Sequence, residues 1–225
     1  MTKRTALSHV KKLPCALCRP LRPRGFAVIA IVVLALTTPR LSAAETKEAK
    51  PAIAVGEKGP PLGFRLLSGK EAPTWKNLEG KIIVLDFWAT WCSPCVAAFP
   101  KMNELHQEFA NKGVSFFSIT YEPDAYVREF LQKHPLESEI GIDESFSAFK
   151  SFAAWGIPVV FVFDRNGKLA AAVHPEHLSS AVLSKVLAGE VPDVPQSKPW
   201  SDPVGAEIYF KKLQQDLLKK DSSTR

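Results

Sequence analysis

The feature that most constrains this chain is a pair of cysteines placed between a buried strand and a helix. Residues 82–87 are an apolar run interrupted by one acid, which predicts a strand buried on both faces. Residues 94–111 carry apolar side chains at helical spacing and are followed by a glycine, which predicts a helix. Cys92 and Cys95 lie at the junction of the two elements. The first cysteine therefore falls at a helix N-terminus, where free backbone N–H groups favour a thiolate.

The spacing of the two cysteines predicts reversible disulfide chemistry. They are three residues apart on one helical face, so their sulfurs can bond without movement of the backbone. We expect Cys92 to be the exposed attacking thiol and Cys95 to be the buried thiol that resolves the mixed disulfide. Half of a zinc site is one alternative, but two further ligands at the spacing of zinc sites do not follow. A purely structural disulfide is the other, although it would close only a very short loop.

Patterning along the rest of the chain predicts an α/β fold. Further strands are expected at residues 114–121, 139–143, 159–163 and 169–173, and further helices at residues 124–134, 146–153 and 176–188. Asp124 is the expected cap of its helix. Residues 64–70 predict a short hairpin, and the Asn-Gly pair at 166–167 predicts another. This order of elements indicates an α/β sheet with an antiparallel edge.

Basic residues are concentrated in the first part of the chain. Residues 1–44 contain eight Lys or Arg and no acid, whereas the whole chain has a net charge of +6, so residues 45–225 carry −2. Proteins that bind nucleic acid need a basic face on their folded part. The charge distribution therefore argues against a nucleic-acid partner.

The first 44 residues also have the pattern of an export signal. A basic segment ends at Arg24, residues 26–36 are an apolar run, and small residues at 42–44 provide a cleavage site. The run is short for a membrane span, which needs about 20 residues. Two alternatives remain open, a cleaved signal peptide or a membrane anchor through residues 26–38. Both predict an extracytoplasmic (periplasmic) domain, either secreted across the inner membrane or anchored in it.

The remaining chain divides into three predicted parts: a linker at 45–54, a globular domain at 55–190 and a C-terminal extension at 191–225. Residues 45–225 contain no cysteine besides the close pair, so the two thiols are expected to serve chemistry rather than a disulfide framework. Within the extension, residues 206–220 form an amphipathic stretch whose apolar residues include Ile208, Leu213 and Leu217. This stretch could contact a partner or a membrane surface, or it could dock on its own domain.

A family resemblance adds to these predictions. Residues 87–95 read Phe-Trp-Ala-Thr-Trp-Cys-Ser-Pro-Cys and resemble the active-site segment of thioredoxins. Residues 55–188 resemble the TlpA/ResA-type branch, the exported or membrane-anchored thioredoxin-like oxidoreductases. Val-Gly-Glu at 55–57, Leu-Glu-Gly-Lys at 78–81 and an inserted segment at 124–143 agree with this branch. The resemblance implies a thioredoxin fold: a central mixed sheet flanked by helices, with the N-terminal hairpin and central insertion of the branch.

The resemblance also implies roles for individual residues. Pro158 matches the cis-proline that faces the dithiol in thioredoxins, and the backbone of Ile157 would pair with an extended substrate segment beside Trp91. Asp86 matches the buried aspartate behind the second cysteine. Several members of this branch carry a glutamate where this chain has Ala98. The acid–base role is therefore expected of Asp86, whose pKa burial would raise.

The implied activity is thiol–disulfide exchange, without a metal or another cofactor. The Ser-Pro dipeptide between the cysteines is closer to the reducing type than to a strong oxidant. Expected partners are exported proteins with disulfides, for example during cytochrome c biogenesis, and a membrane dithiol donor. The main alternative is a copper-chaperone-like module of the same fold, but such modules separate their cysteines by three residues and add a distant histidine. A thiol peroxidase would need a Thr-x-x pattern before its cysteine, which is absent here.

Overall fold

The computed structural model describes the backbone of residues 53–197 and 203–224, and the side chains of residues 53–197 and 204–219. The predicted signal, the anchor at residues 26–38 and most of the predicted linker lie outside these residues. Among the residues described, no helix is both long enough and apolar enough to cross a membrane.

The described chain contains six strands and five α-helices. The strands are β1 (Arg65–Leu66), β2 (Ile82–Phe87), β3 (Val114–Thr120), β4 (Glu139–Ile142), β5 (Val159–Phe163) and β6 (Leu169–Val173). The α-helices are α1 (Ser93–Phe109), α2 (Asp124–Lys133), α3 (Ser147–Ser151), α4 (Ser180–Leu187) and α5 (Pro203–Thr224). Single 3₁₀ turns are formed by Ala110–Lys112 and Pro175–His177.

All six strands belong to one mixed sheet in the order β1-β4-β3-β2-β5-β6. The central strands β2, β3 and β4 are parallel, whereas β5, β6 and β1 pair in the antiparallel sense. The predicted mixed α/β sheet is thereby confirmed. Phe87 at the end of β2 pairs with Val159 at the start of β5 and with Ile119 near the end of β3. The segments that follow β2 and β3 and the segment that precedes β5 therefore meet at one edge of the sheet.

The two faces of the sheet bury two apolar clusters. Alternate residues of β2 divide between them, because successive side chains of a strand point to opposite faces. Ile82 and Val84 pack with residues of α1 and α4, whereas Ile83, Leu85 and Phe87 pack into a larger, aromatic-rich cluster. That larger cluster also contains Ile53, Leu66, Cys92, Cys95, Tyr121, Phe149, Trp155 and Phe210. Ile53 comes from the predicted linker, so the packed domain begins earlier than residue 55.

The predicted N-terminal hairpin does not form, because β1 pairs with a strand far away in the chain. The chain does turn after β1, where the Gly69 N–H donates to the Leu66 carbonyl at 3.0 Å. However, the residues after the turn do not return as a paired strand, and β1 instead pairs with β4, Arg65 opposite Ile142. The outer edge of β4 offers unpaired backbone groups, and pairing with β1 satisfies them.

Two predicted helix starts differ from the structure. Asp124 is the first residue of α2 rather than its cap, because Pro123 occupies the N-cap position and the Asp124 carboxylate pairs with the Arg65 guanidinium. The helix predicted at 176–188 is divided into a 3₁₀ turn and α4. Ser179 causes the division, because its hydroxyl accepts the Val182 N–H at 3.4 Å and starts a new helix there.

Candidate active site

The two cysteines of the domain are joined by a disulfide at the N-terminus of α1. Cys92 is the N-cap residue, Pro94 lies in the first turn, and the Cα atoms of Cys92 and Cys95 are 5.3 Å apart. The Cys95 N–H points to the Cys92 sulfur at 3.3 Å. Proline costs nothing in the first turn, because that N–H has no helical partner in any case. The sequence Cys-Ser-Pro-Cys therefore places the Cys92 sulfur where a thiolate would receive a backbone N–H and the positive end of the helix dipole.

The expected difference in exposure between the two cysteines is wrong for this disulfide form. Cys92 is 4% exposed and Cys95 is 2% exposed, while Trp91, Ser93 and Pro94 around them are exposed. Cys92 is covered because its sulfur is bonded to the buried Cys95 and the residue packs into the larger core cluster. In this disulfide form, a dithiol that reduces the bond must reach a sulfur that is largely covered.

Pro158 lies at the same edge of the sheet as the disulfide. The Ile157–Pro158 peptide bond is cis, as the resemblance implies. Pro158 directly precedes β5, whose first residue pairs with the last residue of β2, and the loop after β2 leads to Cys92. Ile157 is half-buried and packs against the larger core cluster. The fold thus gathers the predicted substrate-contacting residues on the side where the disulfide lies.

Asp86 is buried within β2, opposite Ser118 of β3. Burial raises the pKa of its carboxyl group to about 7, and the hydroxyl of Ser118, which donates to the carboxylate at 3.3 Å, opposes this only in part. The Ser118 hydroxyl in turn accepts a hydrogen bond from half-buried Ser138 at 2.7 Å. The hydroxyl groups of Ser118 and Ser138 therefore form a hydrogen-bonded chain from the buried Asp86 carboxyl toward the surface.

Glu122 is a second buried carboxylate beside the dithiol, and sequence reasoning missed it. One of its oxygens accepts the Thr90 N–H and the other the Thr90 hydroxyl, both at 2.7 Å, and the Thr120 hydroxyl adds a third bond at 3.1 Å. Burial raises the pKa of Glu122, while these three donors oppose the rise. A signal was present: an acid directly after a predicted buried strand that is parallel to β2 must lie near the loop after β2. Glu122 therefore fixes the backbone two residues before Cys92.

A third buried carboxylate has a structural task. Asp143 accepts the backbone N–H groups of Ser147 at 2.8 Å and of Phe149 at 3.0 Å. Burial raises the pKa of Asp143 to about 6 against the effect of these bonds. Because the carboxylate holds the first turn of α3, it positions Phe149 in the aromatic cluster.

Helix α5 packs against the side of the domain that carries Trp91. The Phe210 ring is buried, with centroids 5.8 Å from Trp91, 5.3 Å from Tyr121 and 5.7 Å from Trp155. Trp91 itself is held by a hydrogen bond from its Nε1 to the Tyr121 hydroxyl at 2.7 Å. The side-chain amide of Gln214 donates to the backbone carbonyl of Tyr121 at 2.9 Å. The C-terminal extension is thus part of the active-site surroundings.

The side of α5 that packs inward differs from the predicted apolar stripe. Ala206 and Phe210 are buried, whereas Ile208 is 64% exposed. Leu213 and Leu217 are half-buried, on the inward side. Of the alternatives left open for this stretch, the structure has the helix docked on its own domain.

Comparison with known proteins shows the family to which the region around the two cysteines belongs. Residues 55–172 match the AhpC/TSA family, a range that contains both cysteines, Asp86 and Pro158 and ends before α5. Thiol-disulfide oxidoreductase ResA of Bacillus thuringiensis subsp. konkukian is 32% identical over 132 residues, which cover 58% of this chain and 75% of the relative. ResA of Geobacillus thermodenitrificans is 33% identical over 121 residues, 53% of this chain and 69% of the relative.

Solved structures show the same fold. A structure from Chlorobium tepidum, described as a candidate thiol:disulfide interchange protein DsbE, superposes with a TM-score of 0.53 at 24% identity. The match covers 62% of this chain and 99% of the other. At this identity the similarity shows the thioredoxin-like fold and nothing further.

Proposed function

The chain belongs to the AhpC/TSA family and is a thiol–disulfide oxidoreductase, and we propose that it reduces disulfide bonds of extracytoplasmic proteins through Cys92 and Cys95. The observation that carries the proposal is the disulfide at the N-terminus of α1, on the same edge of the sheet as cis-Pro158. A dithiol in this position can exchange with a substrate disulfide, so that the substrate is reduced and the Cys92–Cys95 disulfide forms.

The proposed reaction has two exchange steps. The Cys92 thiolate attacks one sulfur of the substrate disulfide, so that a mixed disulfide forms and the other substrate sulfur leaves as a thiolate. The Cys95 thiolate then attacks the Cys92 sulfur, which breaks the mixed disulfide and releases the second substrate thiolate. The substrate gains two electrons and, after protonation, two thiols, while the enzyme ends with the Cys92–Cys95 disulfide. A dithiol donor must reduce this disulfide before the next cycle.

We propose that Asp86 accepts the proton that the Cys95 thiol loses. Cys95 is buried, so water is scarce around it, and resolution requires the loss of its proton. With a pKa raised to about 7 by burial, Asp86 is ionised in part at neutral pH and can both accept and release a proton there. The hydroxyl groups of Ser118 and Ser138 offer a path on which that proton can exchange with solvent.

The direction and the setting of the reaction are supported by the sequence. The Ser-Pro dipeptide between the cysteines favours a reductant, and the export pattern in residues 1–44 favours the extracytoplasmic side of a membrane. The resemblance to ResA-type proteins favours exported protein substrates, such as those of cytochrome c assembly, and a membrane protein as the dithiol donor.

Single replacements of the two cysteines test the proposal. We expect Cys92→Ser to abolish reduction of insulin disulfides, because the attacking sulfur is gone. We expect Cys95→Ser to accumulate mixed disulfides with substrate, because the first step proceeds and the second does not. Glu104→Ser is the control, since Glu104 is exposed on α1 and lies nine residues after Cys95. Retained activity in Cys92→Ser, together with no trapping by Cys95→Ser, would show that this assignment of roles is wrong.

A further inference from the structure

Docking of α5 creates a pocket that the family-matched part of the chain does not form alone. The pocket has a volume of about 620 Å³. Its walls come from two sources: Trp91, Trp155 and Ile157 of the thioredoxin-like domain, and Ala206, Tyr209 and Phe210 of α5. The matched region ends at residue 172, so α5 lies outside the part of the chain that matches the family.

The position of the pocket connects it to the dithiol. Trp91 directly precedes Cys92, and Ile157 directly precedes cis-Pro158. A polypeptide that brings its disulfide to Cys92 and lies along the backbone of Ile157 must pass the mouth of the pocket. Alternate side chains of an extended segment point to the same side, so the side chain two residues from the reactive cysteine can enter the pocket while the cysteine faces Cys92.

The chemistry of the walls selects the kind of side chain. No charged side chain lines the pocket, and the polar Nε1 of Trp91 already donates to the Tyr121 hydroxyl. The Trp91 and Tyr209 side chains are 43% and 52% exposed, with ring centroids 6.4 Å apart, whereas Phe210 beneath them is buried. Aromatic walls around an open apolar space bind aromatic or large aliphatic groups and do not stabilise charged ones.

We propose that α5 and the dithiol face together form a substrate subsite, which receives a large apolar side chain two residues from the reactive cysteine of a disulfide-bonded polypeptide. The subsite rests on the reductase function proposed above and adds to it a preference for one class of substrate. Tyr209 is the residue through which α5 sets that preference, since it stands at the mouth opposite Trp91. Phe210 is the anchor that keeps α5 in place.

Two peptides that differ in one residue test the subsite. Each contains a disulfide, and the residue two positions from one cysteine is Phe in the first and Ser in the second. We expect the reduced full-length protein to show a kcat/KM about 10-fold or more higher for the Phe peptide, as for other apolar pockets. Tyr209→Ala should lower this preference at least about 3-fold, and Tyr209→Phe should retain it. Glutathione disulfide offers no large apolar side chain to the pocket, so its reduction should fall less in Tyr209→Ala than reduction of the Phe peptide does.

Ile208→Ala is the matched control. Ile208 neighbours Tyr209 on the same helix and is more exposed, but it does not line the pocket, so its loss should leave the preference intact. Equal kcat/KM for the two peptides, with normal reduction of both, would overturn the subsite and leave the reductase function standing. A change of oligomeric mass in Tyr209→Ala with an unchanged preference would overturn it in favour of contact between copies of the chain. No reduction of either peptide or of glutathione disulfide would overturn the reductase function itself.

Discussion

At the scale of single residues, the site depends on two buried carboxylates with different surroundings. Glu122 accepts three hydrogen bonds, two of them from Thr90, and so it is committed to holding the loop before Cys92. Asp86 accepts one bond, from Ser118, and burial raises its pKa to about 7. A carboxyl group with few fixed donors can change its protonation state at low cost. We therefore propose that Asp86 transfers the proton of Cys95 and that Glu122 positions the loop before Cys92.

Replacement of Asp86 by Asn tests its role in proton transfer. Asp86→Asn should slow turnover about 10- to 100-fold at neutral pH, because Cys95 loses its proton acceptor. Asp193→Asn is the control, since Asp193 lies exposed outside the site. Turnover of Asp86→Asn that matches the native protein from pH 6 to 9 would exclude Asp86 as the acceptor.

The same replacement should raise stability in a pH-dependent way. The pKa of Asp86 is about 7 in the folded protein against an ordinary value of 3.8, so between these pH values the unfolded chain ionises while the folded one does not. The free energy of unfolding contributed by this group is therefore greatest below about pH 4 and falls as pH rises to about 7. Urea unfolding should show Asp86→Asn more stable by about 1–3 kcal/mol above pH 7, with a smaller difference at pH 4.

Loss of the Glu122 side chain should weaken the loop before the dithiol. Glu122→Ala leaves the Thr90 N–H without its acceptor, which should lower the free energy of unfolding by about 1–3 kcal/mol. Glu122→Gln retains one oxygen and should lose less. Urea unfolding of the oxidised protein measures both, with exposed Glu129→Ala as control. Equal stability of Glu122→Ala and the native protein would show that the loop is held in another way.

At the scale of elements, two helices from distant parts of the chain lie next to Trp91. Helix α1 follows β2 directly and sets the position of Cys92 by its own N-terminus. Helix α5 comes from the far end of the chain and reaches Trp91 through Phe210. We propose that the first helix sets the reactivity of the Cys92 sulfur. The second adds surface beside that sulfur.

The helix N-terminus should lower the pKa of the Cys92 thiol in the reduced protein. We expect a value well below the free value of about 8.5, because the Cys95 N–H and the α1 dipole stabilise the thiolate. The rate of alkylation of Cys92 against pH measures it, with Cys95→Ser to remove the second thiol. A midpoint at or above about 8.5 would mean that the helix N-terminus does not activate this sulfur.

At the scale of the whole molecule, the sheet order brings distant segments to one edge. The parallel pair β2 and β3 directs the Cys92 loop and Glu122 to the same side, and antiparallel β5 starts there with cis-Pro158 before it. One edge of one sheet therefore carries the disulfide, Glu122 and cis-Pro158.

The reduction potential of the Cys92–Cys95 pair determines whether the protein reduces or oxidises its partners. We expect a reduction potential for the Cys92–Cys95 pair between about −270 and −180 mV, the range from thioredoxin to protein disulfide isomerase. Equilibration with glutathione buffers, followed by quantification of free thiols, measures it. A value near about −120 mV, as in strong oxidants, would reverse the proposed direction.

The sequence by itself determined the parts that depend on neighbours along the chain. The apolar run of Ile82–Phe87, the cysteines after it and the helix that follows were predicted with nearly the observed bounds. The hairpin of β5 and β6 was also predicted, because the Asn-Gly turn between them is a local signal. Such features are fixed by backbone geometry and by periodicity over a few residues.

Only the tertiary structure decided the features that depend on contacts between distant segments. The burial of Cys92, the bonds from Thr90 to Glu122 and the pairing of β1 with β4 each need a partner far away in the chain. Helix α5 is the clearest case. Apolar side chains lie on more than one side of it, so periodicity cannot tell whether Ile208 or Phe210 faces inward. The rings of Tyr121 and Trp155 decide this, because they form the cluster into which Phe210 packs.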